Sequence, residues 1–306
     1  MARTRSAAKR QRLAVDDSAL ANVDVVSHLA SFLEAKDLCQ VRATCKALGS
    51  SNDDAAFNGL SMVEEAARRV YEDASDEEKA TLPRHDGESW IVLYHHLLML
   101  RARLTFNQLI GIFVEYQGGD EAAVQGRTVT GLGNYSQAIC GNHIMRAGRH
   151  WATFTSSSGF HLFQNFGVVR PLPGWETRGL DTFNPVKRDF YADLLRDWTD
   201  RWEGDVHLCR LNMKDGSCFW SDWSGERGNG FDWEGWNDYD RDCKTLGMLL
   251  DLNEGMLSVY QNGRRLGTLK DGLAGEYCWT AGFWGRGNIS ILRGYDHRVA
   301  FYLNHS

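Results

Sequence analysis

A helical N-terminal region followed by an antiparallel β-sandwich, an α+β chain of more than one domain, is the fold class that this sequence predicts. Three observations carry it. Apolar residues recur at helical spacing through residues 19–104. From about residue 110 glycines multiply and short apolar runs alternate with turn signals, which is the all-β texture. Residues 245–269 read as three consecutive strands. Asn253-Glu254-Gly255 turns the first into the second, and Asn262-Gly263 turns the second into the third. Asn-Gly supplies the two positive φ angles that a tight type I′ hairpin needs.

Residues 1–18 are polar and basic with no apolar period, and are expected to be a disordered tail. Lys9-Arg10-Gln11-Arg12 within it has the composition of a nuclear import signal. In residues 19–50, Val25, Val26, Leu29, Phe32 and Leu33 share one helix face. Leu38, Val41, Cys45 and Leu48 share a face of a second short helix, with Asp37 placed to cap it. Two helices this short need either the rest of the chain or a partner to cover their apolar faces.

Residues 55–115 are expected to be a helical connecting region. Met62, Val63, Ala66, Ala67, Val70 and Tyr71 form one stripe. Ser75-Asp76-Glu77-Glu78 fits a capping box for a short helix that Pro83 ends. Trp90, Leu93, Tyr94, Leu97, Leu98 and Arg101 mark a further helix. His95 and His96 on it are adjacent and point about 100° apart, so they do not form a metal pair.

The sandwich is expected over residues 120–295, with a C-terminal extension at 296–306. Besides the three-strand meander, strands are read at residues 150–155, 160–163, 166–170, 206–212, 217–223, 277–283 and 289–292. A helix interrupts them at 190–201, with Tyr191, Leu194, Leu195 and Trp198 on one side.

Composition narrows the function. The 306 residues are 43% apolar and 24% charged, a globular balance. The formal net charge is -6, although residues 1–12 contribute five cations and no acid. An acidic body does not suit a phosphate backbone, so nucleic acid is not the expected ligand. No apolar run reaches the ~18 residues of a membrane span, and the basic start lacks an apolar signal segment. The seven cysteines are odd in number and contain no Cys-x-x-Cys pair, which speaks against a disulfide framework or a zinc site. The expectation is a protein of the cytoplasm or nucleus, without membrane contact.

The meander carries a family likeness. Gly247, Leu250, Asp251, Gly255, Leu257, Ser258, Tyr260, Asn262, Gly263, Leu266 and Gly267 fall at the positions of the core strands of SPRY domains. Residues 148–155, 166–172 and 278–294 are similar to that family's early, Gly-Val and closing strands, so the resemblance covers about 141–295. It implies a bent, concanavalin-like antiparallel sandwich that binds proteins or peptides with loops at one rim and has no enzymatic activity. Val25, Leu29, Leu33, Asp37-Leu38 and Thr44-Cys45-Lys46 fall at the apolar, Asp-Leu and Cys-Lys spacings of an F-box. Ala21-Asn22 replaces the family's Leu-Pro start, Glu34 its proline, and Leu48 its late tryptophan. The two resemblances together imply a substrate receptor of an SCF-type ubiquitin ligase. Val25, Leu29, Leu33, Leu38 and Val41 would bind a Skp-type adaptor, and the sandwich would hold an unknown substrate protein. A face that merely packs on the helices at 61–104 is the alternative for the first segment.

Residues 218–242 are the oddest stretch, with Trp220, Trp223, Trp233, Trp236 and Tyr239 among five aspartates. Trp223, Trp233, Trp236 and Tyr239 are the expected substrate-binding residues, because such rings bury much area at low entropic cost. Core and edge packing is the competing reading. Asp238-x-Asp240-x-Asp242 lacks the glycine and the final glutamate of a calcium loop. No nucleophile elbow, zinc-protease or phosphate-loop motif is present. His143, His150 and His161 have no spaced carboxylate or cysteine partner, and Cys140 and Cys278 read as buried thiols. No catalytic residue, cofactor or metal is expected. A SPRY scaffold without a ligase link and a lectin-like sandwich remain the alternatives.

Overall fold

The computed structural model describes residues 23–30, 33, 35–44, 59–127, 135–157, 159–160, 164–223, 227–230, 233–240 and 242–293. The basic tail, Ala21-Asn22, Phe32, Glu34, Cys45, Lys46, Leu48, residues 161–163 and the 296–306 extension lie outside the described residues. The chain divides into two compact units, Met1–Ala102 and Arg103–Ser306.

The first unit contains α1 (Val23–Ala30), α2 (Ala35–Thr44), α3 (Met62–Glu72), α4 (Asp76–Thr81) and α5 (Trp90–Arg101). Val26 and Leu38 join Met62, Val63, Ala66, Ala67, Ile91 and Tyr94 in one buried cluster, so helices on both sides of residues 50–55 share a core. Buried Glu64 fastens the start of α5, accepting from the Trp90 amide at 2.7 Å, the Ser89 hydroxyl at 2.6 Å and Arg42 Nη1 at 3.2 Å. The Tyr94 hydroxyl donates to the Leu33 carbonyl at 2.9 Å, and Arg69 pairs with Asp24 at 2.6 Å. Asp37 lies inside the first turn of α2 instead of capping it. There its charge still faces the positive end of the helix dipole.

The expected capping box is present. Ser75 Oγ accepts from the Glu78 amide, while the Glu78 carboxylate accepts from the Ser75 amide. Arg101 donates to the same carboxylate at 2.7 Å and, with Ser75, holds it well below its ordinary value, at about 2. Ser75→Ala is expected to cost about 1 kcal/mol, the usual value of a lost N-cap. Thermal unfolding followed by circular dichroism measures it, and an unchanged midpoint would remove the cap from the account.

The helical region stops short of residue 115. Ala102 is already extended, and Leu104 and Phe106 alternate into the core of the second unit. The residues of that unit form strands β1 (Gln108–Ile110), β2 (Val114–Gln117), β3 (Asp120–Gly126), β4 (Ser136–Ile139), β5 (Arg149–Thr155), β6 (Gln164–Val169) and β7 (Val206–Asn212). Then follow β8 (Cys218–Asp222), β9 (Arg227–Gly230), β10 (Thr245–Asp251), β11 (Met256–Gln261), β12 (Arg264–Lys270), β13 (Cys278–Phe283) and β14 (Gly287–Arg293). One sheet is ordered β1-β4-β13-β6-β7-β8-β9, the other β12-β11-β10-β5-β14-β3-β2, and every described pairing is antiparallel.

Alternation builds the layer between the sheets. Leu246, Met248 and Leu250 of β10, Ala152 and Phe154 of β5, and Trp279, Ala281 and Phe283 of β13 all enter the same buried cluster. The expected meander is β10–β11–β12. Its second turn carries Asn262 at φ 47° and Gly263 at φ 81°, the paired positive angles of a type I′ turn.

The outer face of the first sheet is covered as well. Val169, Leu172, Trp175, Phe183, Val186, Leu194 and Trp202 form a second cluster with Ile139, Leu208 and Cys278. The helix here is α6 (Arg188–Arg196), two residues earlier at its start than expected and ending well before 201. Of its expected apolar side only Leu194 is buried, whereas Leu195 and Trp198 are exposed. The Asp197 carboxylate accepts from Trp175 Nε1 and from Arg178 just beyond the helix, which fixes its end.

Strand directions sort the connections to two ends of the sandwich. Residues 111–113, 156–157, 213–217, 233–240, 262–263 and 284–286 lie at one end. Residues 140–148, 252–255 and 271–277 lie at the other, where residues 170–205 also leave β6 and enter β7 after crossing the outer face of the first sheet.

Candidate protein-interaction surface

The tryptophan-rich segment divides among three environments. β8 alternates, sending Cys218 and Trp220 toward the layer between the sheets and Phe219 and Trp223 toward the outer cluster. Trp223 lies 5.7 Å from Trp202 with the rings 7° from parallel, and 4.6 Å from His207. It therefore stands at the far end of β8 from the other three expected residues.

Trp233 is 8% exposed, and its Nε1 donates to the Gly216 carbonyl at 2.8 Å. Trp236 and Tyr239 are half-buried and close over the same glycine. A Cβ at Gly216 would come within 2.7 Å of Trp236 and 2.8 Å of Tyr239, and its φ is 71°. The Tyr239 hydroxyl reaches Met213 Sδ at 3.3 Å. These three rings clamp the turn between β7 and β8. Packing accounts for most of their surface, because the segment needs apolar anchors to close the open edge of the sandwich.

A cavity of about 320 Å³ opens beside them, between Cys218 and Trp220 of β8, one strand in from the β9 edge, and residues 268–271 at the β12 edge of the other sheet. Trp233 and Leu269 complete its floor, and Glu234, Lys270 and Asp271 stand on its lip. Lys270 Nζ lies 5.2 Å from the Trp220 ring and donates to the Asp271 carboxylate at 3.1 Å, which holds that acid below its ordinary value. Glu234 accepts from the Thr268 amide at 2.8 Å and from Arg265 at 2.7 Å. The volume is at the small end of the ~300–1,000 Å³ typical of ligand sites. An apolar side chain flanked by a charge fits this chemistry.

The five expected adaptor residues also part company. Val25 and Leu29 are 42% and 46% exposed on α1, while Leu38 is 1% exposed. Leu33 and Val41 are half-buried against the α3 and α5 cluster. Sequence periodicity found the helices but could not say which of Val25 and Val26 turns inward.

No group of three or more metal-ligating side chains occurs among the described residues. Burial pushes the thiols of Cys140, Cys209 and Cys278 upward, so they stay protonated. Among the described residues no helix is long and apolar enough to cross a membrane.

Sequence reasoning passed over three buried arginines, whose signal is a lone cation within an otherwise apolar strand or loop. Arg146 pairs with Glu276 at 3.1 Å. Arg170 donates to the carbonyls of Glu203, Gly204, Ala274 and Glu276 and stacks on Tyr277 at 4.1 Å. Arg210 is the third.

No protein-family model matches the chain, and no curated protein matches it. Solved structures similar to it include the SPRY domain of human HERC1, at 10% identity over 61% of this chain and 96% of that one, with a TM-score of 0.40. The TRIM65 PSpry domain is similar at 18% identity over 61% and 87%, with a TM-score of 0.36. Stonustoxin is similar at 14% identity over 62% of this chain but only 27% of its own, with a TM-score of 0.38. None of these likenesses transfers a residue's role, a ligand or a partner to this chain.

Proposed function

We propose that the chain is a non-catalytic protein-binding adaptor of the cytoplasm or nucleus, acting as the substrate receptor of an SCF-type ubiquitin ligase. Its sandwich, read as a SPRY domain from the residues of the β10–β12 meander, holds the substrate protein. The helices α1 and α2 dock on a Skp-type adaptor. The observation that carries the docking half is the pair Val25 and Leu29, one turn apart on α1 and each more than two-fifths exposed. An amphipathic helix with such anchors open to water suits insertion into an apolar groove.

A scaffold without the ligase link is the second reading. Leu33, Leu38 and Val41 favour it, because they are already packed on α3 and α5.

Co-purification with a recombinant Skp-type adaptor separates the two. Val25→Asp with Leu29→Asp is expected to lower recovery at least tenfold while the helical circular dichroism stays unchanged, since both residues are exposed. Equal recovery of wild type and double variant would sink the receptor reading and leave the scaffold.

A further inference from the structure

The three buried arginines differ in how far their charge is answered. Arg146 has a carboxylate, and Arg170 spends two nitrogens on four carbonyls. Arg210 is 9% exposed, and among the described residues only its Nη1 finds partners. That atom donates to the Tyr135 hydroxyl at 2.5 Å and to Asn184 Oδ1 at 3.4 Å. The Tyr135 hydroxyl in turn donates to Asn165 Oδ1 at 2.8 Å. The guanidinium carbon lies 5.1 Å from the Tyr135 ring and 5.2 Å from the Phe219 ring. No carboxylate stands within ion-pair distance of it among the described residues.

A cation taken this far out of water costs several kcal/mol unless it is paired. Nε and Nη2 take no hydrogen bond from the described residues, yet neither is among the buried polar atoms without a partner. The unused donors are therefore not sealed in by described residues. Nε–H and Nη2–H form the edge of a guanidinium that grips a carboxylate with two parallel hydrogen bonds. The sequence places this arginine on β7, three residues before the turn clamped by Trp236 and Tyr239, and so near one rim of the sandwich.

We infer that Arg210 is a carboxylate-recognition point, and that it takes the side chain of an Asp or Glu in a segment of the partner protein. The inference rests on the protein-binding reading of the sandwich. It does not depend on the ligase link.

Nuclear magnetic resonance of the arginine Nε–Hε group tests it in the full chain. The Arg210 signal is assigned by its loss in Arg210→Lys. N-acetyl-aspartate methylamide is expected to move that signal downfield in a saturable way, whereas N-acetyl-asparagine methylamide leaves it in place. N-acetyl-alanine, with only a terminal carboxylate, and N-acetyl-phosphoserine methylamide complete the series. A stronger response to either of these two would overturn the side-chain assignment in favour of a chain terminus or a phosphate. No response to any of the four would show Arg210 to be a structural group, while the sandwich could still bind a partner elsewhere on its surface. N-acetyl-aspartate methylamide is also expected to raise the thermal midpoint of wild type, and Arg210→Gln, which removes the charge, to abolish that rise. Persistence of that effect would place the carboxylate site somewhere else.

Discussion

Arg170→Met should lower the stability of the sandwich unit by ~2–4 kcal/mol, because the buried Glu276 carbonyl and three part-buried carbonyls lose their donor, and a fully buried loss costs ~1–3 kcal/mol. For a unit of this size that corresponds to a fall in Tm of roughly 10 °C. The argument depends on what the guanidinium joins. Nη1 holds Ala274 and Glu276 at 2.7 and 3.0 Å, and Nη2 holds Glu203 and Gly204. Two loops at the same end of the sandwich, 201–205 and 274–277, are thus tied through one side chain that is 1% exposed. Two effects work against it. Burial drives the Arg170 pKa below its ordinary value, and Nε is buried without a partner. A methionine of similar length would relieve both while keeping part of the contact with Tyr277. The carbonyls decide the sign, because backbone oxygens cannot be removed and the bond to Glu276 lies fully inside the protein. Arg170→Lys should fall between the two, since one ammonium cannot span four oxygens. Urea unfolding of the three proteins measures the order, and a methionine variant within ~1 kcal/mol of wild type would refute the account.

Legibility in the sequence followed turn chemistry and burial on one face. The β10–β12 meander was readable because Asn262-Gly263 fixes a turn type and Leu246, Met248 and Leu250 alternate cleanly. β1 to β4 and β9 were not read. β3 is an edge-proximal strand that buries only Ala122 and Val124 among acids and glutamine. β4 is buried at every position, since Ala138 faces one cluster and Ile139 the other, so its period vanishes. The cover formed by residues 170–202 escaped for another reason. Trp175, Phe183 and Trp202 have no local period, and only the sheet beneath them makes them core.

The candidate sites show the same limit. Aromatic content marked residues 218–242 as unusual, but exposure, which composition cannot give, decides between anchor and ligand. Trp233 spends its indole N–H inside the protein on Gly216. Val25 and Val26 are adjacent and chemically alike, and the packing of α1 against α3 turns one outward and the other inward. Arg210 was legible only as an oddity, a cation in a strand whose neighbours are apolar on both faces.

His150 should make the sandwich acid-sensitive. It lies on β5 with its ring 4% exposed, pairs in register with Leu250, and donates from Nε2 to the Ala147 carbonyl at 2.8 Å. The groups facing it are the His143 ring, 5.6 Å away at 73°, and Arg293, which contacts His143 Nδ1 at 3.4 Å. Burial is the main cause that pushes its pKa down to about 4, the Ala147 carbonyl opposes this, and Arg293 adds to it. An unfolded histidine titrates near ~6.5. Between those two values the unfolded chain binds a proton that the folded chain refuses, so acidification favours unfolding. Stability is therefore complete above about pH 7 and declines by ~1.4 kcal/mol per pH unit below ~6.5, reaching a loss on the order of 3 kcal/mol near pH 4. Carboxylates also titrate at the lower end of this window, so the wild-type profile alone cannot isolate the histidine. His150→Gln keeps a donor for Ala147 and cannot take up a proton. Its stability deficit relative to wild type should shrink steadily as the pH falls from ~7 to ~4.5. Parallel profiles for the two proteins, read as urea midpoints, would mean that the imidazole charges inside the fold without penalty, and the sealed environment assigned to it would be wrong.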